Sequence, residues 1–469
     1  MGRSNRTELG QFFTPQEVAD FIIDFALTIL KRKPTLAIDP SCGEGAFLRG
    51  LIKKSIELPV GIDVDERILE RIPEEVRERS KIFIADSLLS LAGLEGKADL
   101  VVGNPPFSAK HRRIKNAEIL SKFELGRGRK SQAVEILFLE KFIKLAKESG
   151  VIGIILPSSI FSCPSLDYVK KFLLENVAVL AVVSLPRHIF KGTTAKTSVL
   201  FARKGKEKEE KIFMGIVEEI DELPLVVESY RNKKELERPT TFWTSRAGSL
   251  SPEYNLFLRR FAGGVRLGEL VSEIFCGRTV YGVKRKFTKD GVRYISAKVV
   301  TPLGLDFERD KRFVDKNSDM YNPKSHVGVG DLLFVRVGAG CLGRAAVVTN
   351  ENEAGVVDDW IYVIRPKRSD IAYYLAFFIQ SKTGKAQIDL LKTGVGTTTI
   401  SQHNIKELRV VIPRDDELVL FKNFYIRMVE ARGRGDMETA NLLYKTAVEL
   451  VEDITRSALE ISQDSTQNY

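Results

Sequence analysis

Across its first hundred residues the chain repeats one device: a short apolar run that stops on a carboxylate or an amide, then a stretch of helical periodicity. Thr35–Ile38 stops at Asp39, Val60–Ile62 at Asp63, Ile82–Ala85 at Asp86, and Leu100–Val102 at Gly103-Asn104. Val18, Phe21, Ile22, Phe25 and Ile29 recur at helical spacing before the first run, and Phe47, Leu48, Leu51 and Ile52 after it. Strand-length apolar runs separated by helices pack as a largely parallel sheet with helices on both faces. The predicted fold is therefore α/β and doubly wound. Its polar residues gather at the carboxyl ends of the strands, where ligands sit in such sheets.

The pattern continues. Gln132–Ser149 reads as an amphipathic helix with Gly150 as its stop, and Val151–Leu156, Val177–Leu185 and Thr197–Ala202 extend the sheet. The charged run Gly205–Lys211 reads as a solvated turn. From Val265 to Pro413 the texture changes to short β-like runs with many glycine turns. Glu417–Leu459 is helical in pattern and the tail from Ser462 is polar. The expected division is a first domain over 1–245, a linker over 246–264, a β-rich α+β domain over 265–415, a helical segment over 416–462 and a loose tail over 463–469.

Composition narrows the class. Of 469 residues, 43% are hydrophobic, which excludes a disordered chain. Lys plus Arg number 72 against 62 Asp plus Glu, a formal charge of +10 that favours an anionic partner. Cys42, Cys163, Cys276 and Cys341 stand far apart, as do His111, His188, His326 and His403, so neither zinc spacing nor a disulfide scaffold is present. Met1–Thr7 is polar, and no apolar run reaches the length of a membrane span. A cytoplasmic protein with no metal and no membrane partner is expected.

The segment Asp39-Pro40-Ser41-Cys42-Gly43-Glu44-Gly45 follows the first strand and opens a helix. Its glycines allow a tight turn and close approach to a bound molecule. Asp63, at the end of the next strand, can accept from ribose hydroxyls, and Asp86 from an adenine amino group. A nicotinamide enzyme shares the first two signals, and any one of these acids alone could be a helix cap. Asn104-Pro105-Pro106-Phe107 separates these readings. The prolines stiffen the turn and hold Asn104 extended. The Asn104 side-chain oxygen and the Pro105 carbonyl can both accept from one amino group, beside the flat face of Phe107. That arrangement suits an exocyclic amine on a planar ring.

At these residues the chain resembles the N6-adenine DNA methyltransferases of restriction–modification systems, above all the gamma class and type I modification subunits. Gly10–Pro15, with Thr14, is similar to the family's N-terminal cofactor motif, and Asp39–Leu48, with Gly43, Glu44 and Gly45, to its S-adenosylmethionine loop. Asp63 and Asp86 match its ribose and adenine acids, and Asn104–Phe107 its catalytic tetrapeptide. Phe201 lies where the family often places an aromatic on the flipped base. The resemblance, over roughly residues 8–204, implies S-adenosylmethionine as cofactor and a Rossmann-like fold. It implies an adenine rotated out of the duplex, sandwiched by Phe107 and Phe201 and held at N6 by Asn104 and Pro105. The tetrapeptide ends in Phe rather than Tyr, and Cys42 reads as loop packing.

Val265–Leu270, Gly330–Phe334, Gly394–Gly396 and Leu408–Pro413 resemble half of a type I specificity subunit. That implies a target recognition domain followed by a helix; a β-rich domain that only docks another subunit is the alternative. Residues 109–131 hold eight Lys or Arg against two Glu, a phosphate-binding loop or a solvated charge run. DNA-contact candidates are Arg112, Arg113, Lys115, Lys196, Arg278, Lys284 and Arg285. Gly192–Ser198 imitates a P-loop but lacks Gly before Lys196. Expected partners are double-stranded DNA and a separate restriction endonuclease or specificity subunit, with the chain a monomer or homodimer. An RNA or protein-glutamine methyltransferase, or a subunit active only with a partner, are the competing functions.

Overall fold

The computed structural model describes residues 14–466, apart from 90, 92, 109–112, 188, 191–195, 206–209, 246–248, 283–284, 339 and 394–396. Gly10–Phe13, Arg112, Lys284 and Gly394–Gly396 thus lie outside the described residues. The chain forms two compact units, residues 1–255 and 256–469.

The first unit is built on a nine-stranded sheet: β1 (Leu36–Asp39), β2 (Leu58–Asp63), β3 (Lys81–Ile84), β4 (Ala98–Gly103), β5 (Ala146–Pro157), β6 (Val177–Ser184), β7 (Thr197–Lys204), β8 (Ile212–Ile216) and β9 (Thr240–Thr244). Their order is β9-β8-β6-β7-β5-β4-β1-β2-β3. β3, β2, β1, β4 and β5 run parallel, as do β6 and β8, while β7 is antiparallel to β5 and β6 and β9 to β8. The chain steps outward from β1 to β3, then returns to lay β4 on the other side of β1. That reversal opens a crevice outside the carboxyl ends of β1 and β4. The doubly wound, Rossmann-like expectation holds.

Burial explains the apolar runs: β4 and β6 are buried at every residue. The helix Gln16–Leu30 turns Val18, Phe21, Ile22, Phe25 and Ile29 into the core. The helix expected over Gln132–Ser149 is shorter, Val134–Leu145. The amides of Gly96 and Lys97 donate to the carbonyls of Lys144 and Leu145 and end it, and Ala146 already pairs with Ala98 in β5. Gly150 is no helix stop. A Cβ there would stand 2.8 Å from the Ala98 and Lys147 carbonyl oxygens, so close backbone approach demands glycine.

The second unit is β-rich, as expected. One four-stranded sheet is antiparallel, in the order Val271–Cys276, Ile361–Pro366, Leu332–Val335, Ala345–Val347; a second joins Phe313–Val314, Val292–Ile295, Gly355–Val357 and His326–Val327. Two expected boundaries shift. The stretch read as a linker contains the helix Pro252–Arg260, and the division between units falls inside it. The C-terminal helices Asp415–Gly433 and Met437–Thr466 are not a separate segment. Phe421 and Tyr425 pack on Tyr373, Tyr374 and Phe377 of the helix Ile371–Gln380, and the Val347 amide donates to Tyr425 Oη at 2.7 Å. The four cysteines are free thiols. Among the described residues no helix is long and apolar enough to cross a membrane.

Candidate active site

The loop after β1 is set by hydrogen bonds to its neighbours. The Cys42 amide donates to the Ile62 carbonyl (3.0 Å), the Gly45 amide to the Cys42 carbonyl (2.8 Å), and Ser87 Oγ to the Pro40 carbonyl (2.6 Å). Gly43 (φ 47°) and Gly45 (φ 80°) hold left-handed conformations, and Gly45 starts the helix Ala46–Lys53. Cys42 is indeed loop packing. A Cβ on Gly61 would come within 2.9 Å of its Sγ, and burial pushes its thiol well above the usual range.

Three acids line this crevice in different surroundings. Asp63 clamps the loop: Oδ2 accepts from the Gly43 amide (2.9 Å) and Oδ1 from the Asp65 amide (3.0 Å). Burial raises its pKa against those bonds. Asp39 is 1% exposed. Its Oδ1 accepts from the Ser41 amide at 3.0 Å, while its Oδ2 is buried without a partner among the described residues. Burial, with Asp63 adding to it, pushes its carboxyl up to about 8 despite the Ser41 hydrogen bond. Asp86 accepts from the Leu88 amide (2.9 Å) and faces the cavity.

The fourth wall is the turn after β4. Gly103 lets it approach: a Cβ there would stand 2.7 Å from Asp39 Oδ1 and 3.0 Å from the Phe142 ring. Asn104 Nδ2 donates to Thr14 Oγ1 at 3.1 Å, which orients the amide. Pro105 is buried, while Pro106 and Phe107 face the cavity. That cavity, about 460 Å³, is lined by Gly43, Glu44, Asp63, Asp86, Asn104, Pro106 and Phe107 among others. A second, about 80 Å³, shares Ser41, Gly43, Glu44 and Asn104 with it and adds Thr14 and Asp39. The larger is of the size that holds a nucleoside-sized ligand.

So Thr14, Asp39, Gly43, Glu44, Asp63, Asp86 and Asn104–Phe107 come together, with Gly45 behind them. Phe201 does not. It sits in the middle of β7, fully buried, its ring stacked on Phe25 at 4.1 Å and edge-on to Phe21 at 6.0 Å. It is a core residue and offers no face to a ligand. Lys196 is also spent elsewhere, in an ion pair with the largely buried Glu253 at 2.6 Å. Arg113 lines the cavity rim and bonds Ser131, and Lys115 is exposed. Arg278 and Arg285 are exposed on the second unit. Sequence reasoning missed Ser41, Val64, Ile68, Arg71 and Phe138 on the cavity walls, and Glu135, which accepts from the Ser108 amide. Val134 and Phe138, one helical turn apart and both on the cavity, are a periodic signal of that wall.

Known proteins give a consistent picture. The chain is 24% identical over 210 residues to the type II methyltransferase M.CvrRI of Paramecium bursaria Chlorella virus XZ-6E, covering 44% of this chain and 51% of that one. It is 23% identical over 230 residues to the type I restriction enzyme MpnII methylase subunit of Mycoplasma pneumoniae, covering 44% and 42%. The chain thus spans about half the length of the curated relatives it matches. The fold of the type IIG restriction endonuclease BpuSI aligns over 95% of this chain and 66% of its own, at a TM-score of 0.50 and 13% identity. The family described as N-6 DNA Methylase matches residues 72–246, a span that holds Asp86 and Asn104–Phe107.

Proposed function

We propose that the chain is a site-specific DNA adenine-N6 methyltransferase of a restriction–modification system, with S-adenosylmethionine as its cofactor. The observation that carries this reading is the Asn104–Phe107 turn at the mouth of an acid-lined crevice, inside the segment that matches the N-6 DNA methylases. The cofactor fits the residues present. Asp63 and Asp86 offer acceptors to ribose and adenine, and Asp39 Oδ2, without a partner among the described residues, is a buried polar atom beside the smaller cavity. When bound, S-adenosylmethionine supplies a methyl group on a positively charged sulfur.

The chain's own residues do the rest. Asn104 Oδ1 and the Pro105 carbonyl accept from the exocyclic amine, which draws its lone pair out of conjugation and aims it at the methyl group. Phe107 lies against one face of the base. Phe201, held in the core, does not cover the second face. Positioning and fixed dipoles supply the rate, and no general base is needed at the start. The second unit serves as the reader of the DNA sequence. Its segment 277–289 carries Arg278, Lys284, Arg285, Lys286 and Lys289 and no acid. The nearby Tyr281 and Trp360 are exposed by 65% and 43%.

The test is transfer of labelled methyl to unmodified genomic DNA by the purified chain, with sequencing for N6-methyladenine. Methylated adenines in one short motif support the reading. Transfer to RNA or protein but not DNA overturns it. Asn104→Ala should keep cofactor binding and lose about a hundred- to a thousandfold in transfer, the scale of one lost transition-state contact.

A further inference from the structure

The catalytic turn has a second anchor that its own sequence does not show. Pro105 and Pro106 have no N–H, so after Asn104 the next amides available to hold the turn are those of Phe107 and Ser108. Ser108 is gripped twice by one carboxylate. Its amide donates to Glu135 Oε2 at 2.8 Å, and its hydroxyl donates to Glu135 Oε1 at 2.9 Å and Oε2 at 2.8 Å. Glu135 is 8% exposed and belongs to the first turn of the helix Val134–Leu145, where the helix N-terminus favours a negative charge. It does not line the cavity, although its neighbours Val134 and Phe138 do.

We infer that Glu135 is a positioning residue for methyl transfer, fixing the Phe107 ring against the target base by clamping Ser108 to the helix whose Val134 and Phe138 line the same cavity. The inference rests on the proposed function. Upstream, the Thr14–Asn104 bond holds the amide; downstream, the Glu135–Ser108 bonds hold the ring. Between these two anchors the proline pair transmits position with little give. A displacement near 1 Å at the reacting geometry costs about a hundredfold in rate, so releasing the downstream anchor should act on turnover and not on cofactor affinity.

The test compares Glu135→Ala, Glu135→Gln and Ser108→Ala in the full chain. Gln can still accept the Ser108 amide and donate to its hydroxyl, so it separates the hydrogen bonds from the charge. Glu135→Ala should lower kcat about 10- to 100-fold per cofactor-binding site, with cofactor Kd within about twofold and Glu135→Gln restoring most of the loss. Ser108→Ala should fall between them, and adding it to Glu135→Ala should cost nothing further. With 2-aminopurine at the target position, Glu135→Ala should still flip the base but give a brighter, less quenched signal. Wild-type kcat in Glu135→Ala, or in Ser108→Ala if the former fails to fold, overturns the inference. So does a loss confined to cofactor binding.

Amide exchange separates this failure from failure of the functional reading, because it needs no activity. Across residues 104–108 the two prolines contribute no amide, so exchange there reports Asn104, Phe107 and Ser108. Glu135→Ala should speed Ser108 exchange at least tenfold, and Glu135→Gln should not. Unchanged exchange refutes the clamp even in a chain that transfers to DNA. Faster exchange in a chain whose wild type leaves DNA unmethylated supports the clamp and discards the reading.

Discussion

Replacing Asp39 by asparagine should flatten the pH dependence of the first unit's stability in the absence of cofactor. Asp39 is 1% exposed, with Oδ1 on the Ser41 amide, Oδ2 unpartnered among the described residues and Asp63 close by. Its carboxyl is pushed up to about 8 from 3.8. The folded value lies above the unfolded one, so the native state keeps a proton that the unfolded chain has released. Stability therefore falls as pH rises from about 4 to about 8 and levels off beyond. Each pH unit in that window is worth roughly 1.4 kcal/mol, so at pH 7 the cost of this one group is about 4 kcal/mol. The substituted amide cannot ionise. It puts an NH2 or a carbonyl where Oδ2 was, at a cost of about 1–3 kcal/mol that does not vary with pH. The assay is urea unfolding between pH 5 and 8.5 in a Trp360→Phe background, where Trp243 in β9 reports the first unit alone. Wild type should lose at least about 3 kcal/mol relative to Asp39→Asn between pH 5 and pH 8. Parallel curves, with a difference that stays within about 1 kcal/mol across that range, would refute the argument that burial keeps Asp39 protonated.

Three further outcomes follow from the placement of single residues. Phe201→Ala should destabilise the first unit by about 3–5 kcal/mol, the cost of a core cavity. Its kcat per folded molecule should stay near that of wild type; a stable variant with lost base stacking would contradict the core assignment. Lys196→Ala should cost about 3 kcal/mol, because it leaves Glu253 buried without its cation. It should leave the salt dependence of DNA binding unchanged, whereas Arg278→Ala should reduce that slope by about 1. Iodoacetamide at pH 8 should label Cys163 well before Cys42, since Cys42 is buried, with its thiol pushed far up; equal rates read by peptide mass would refute the loop packing.

How much of this could be read from the sequence follows from what each signal depends on. The acids at the ends of β1 and β2, Asp86 just past β3 and Asn104 just past β4 were legible because strand termini in a parallel sheet share one edge, so spacing alone brings them together. Phe201 was misplaced for a related reason. The family resemblance alone put Phe201 at the site, but in β7, between β5 and β6, its side chain joins the layer of Phe21 and Phe25. The face of one side chain is a tertiary fact, and a one-residue slip in register reverses it. Lys196 was misread because its partner, Glu253, is far along the chain in a stretch that read as a linker.

The Glu135 clamp shows the same limit from the other side. Ser108 and Glu135 are 27 residues apart, and neither stands out. A serine after a turn reads as a turn residue, and a glutamate in a first helical turn reads as a dipole partner. Only the folded chain puts both Glu135 oxygens on one serine. The protonation of Asp39 is of this kind as well. Its position at a strand end is written in the sequence, but its charge is decided by burial against the Gly103 backbone, with Asp63 beside it. Positions of functional residues were thus carried by local pattern. Their ionisation and rigidity were carried by contacts from elsewhere in the chain, which is where substitution will separate catalysis from folding.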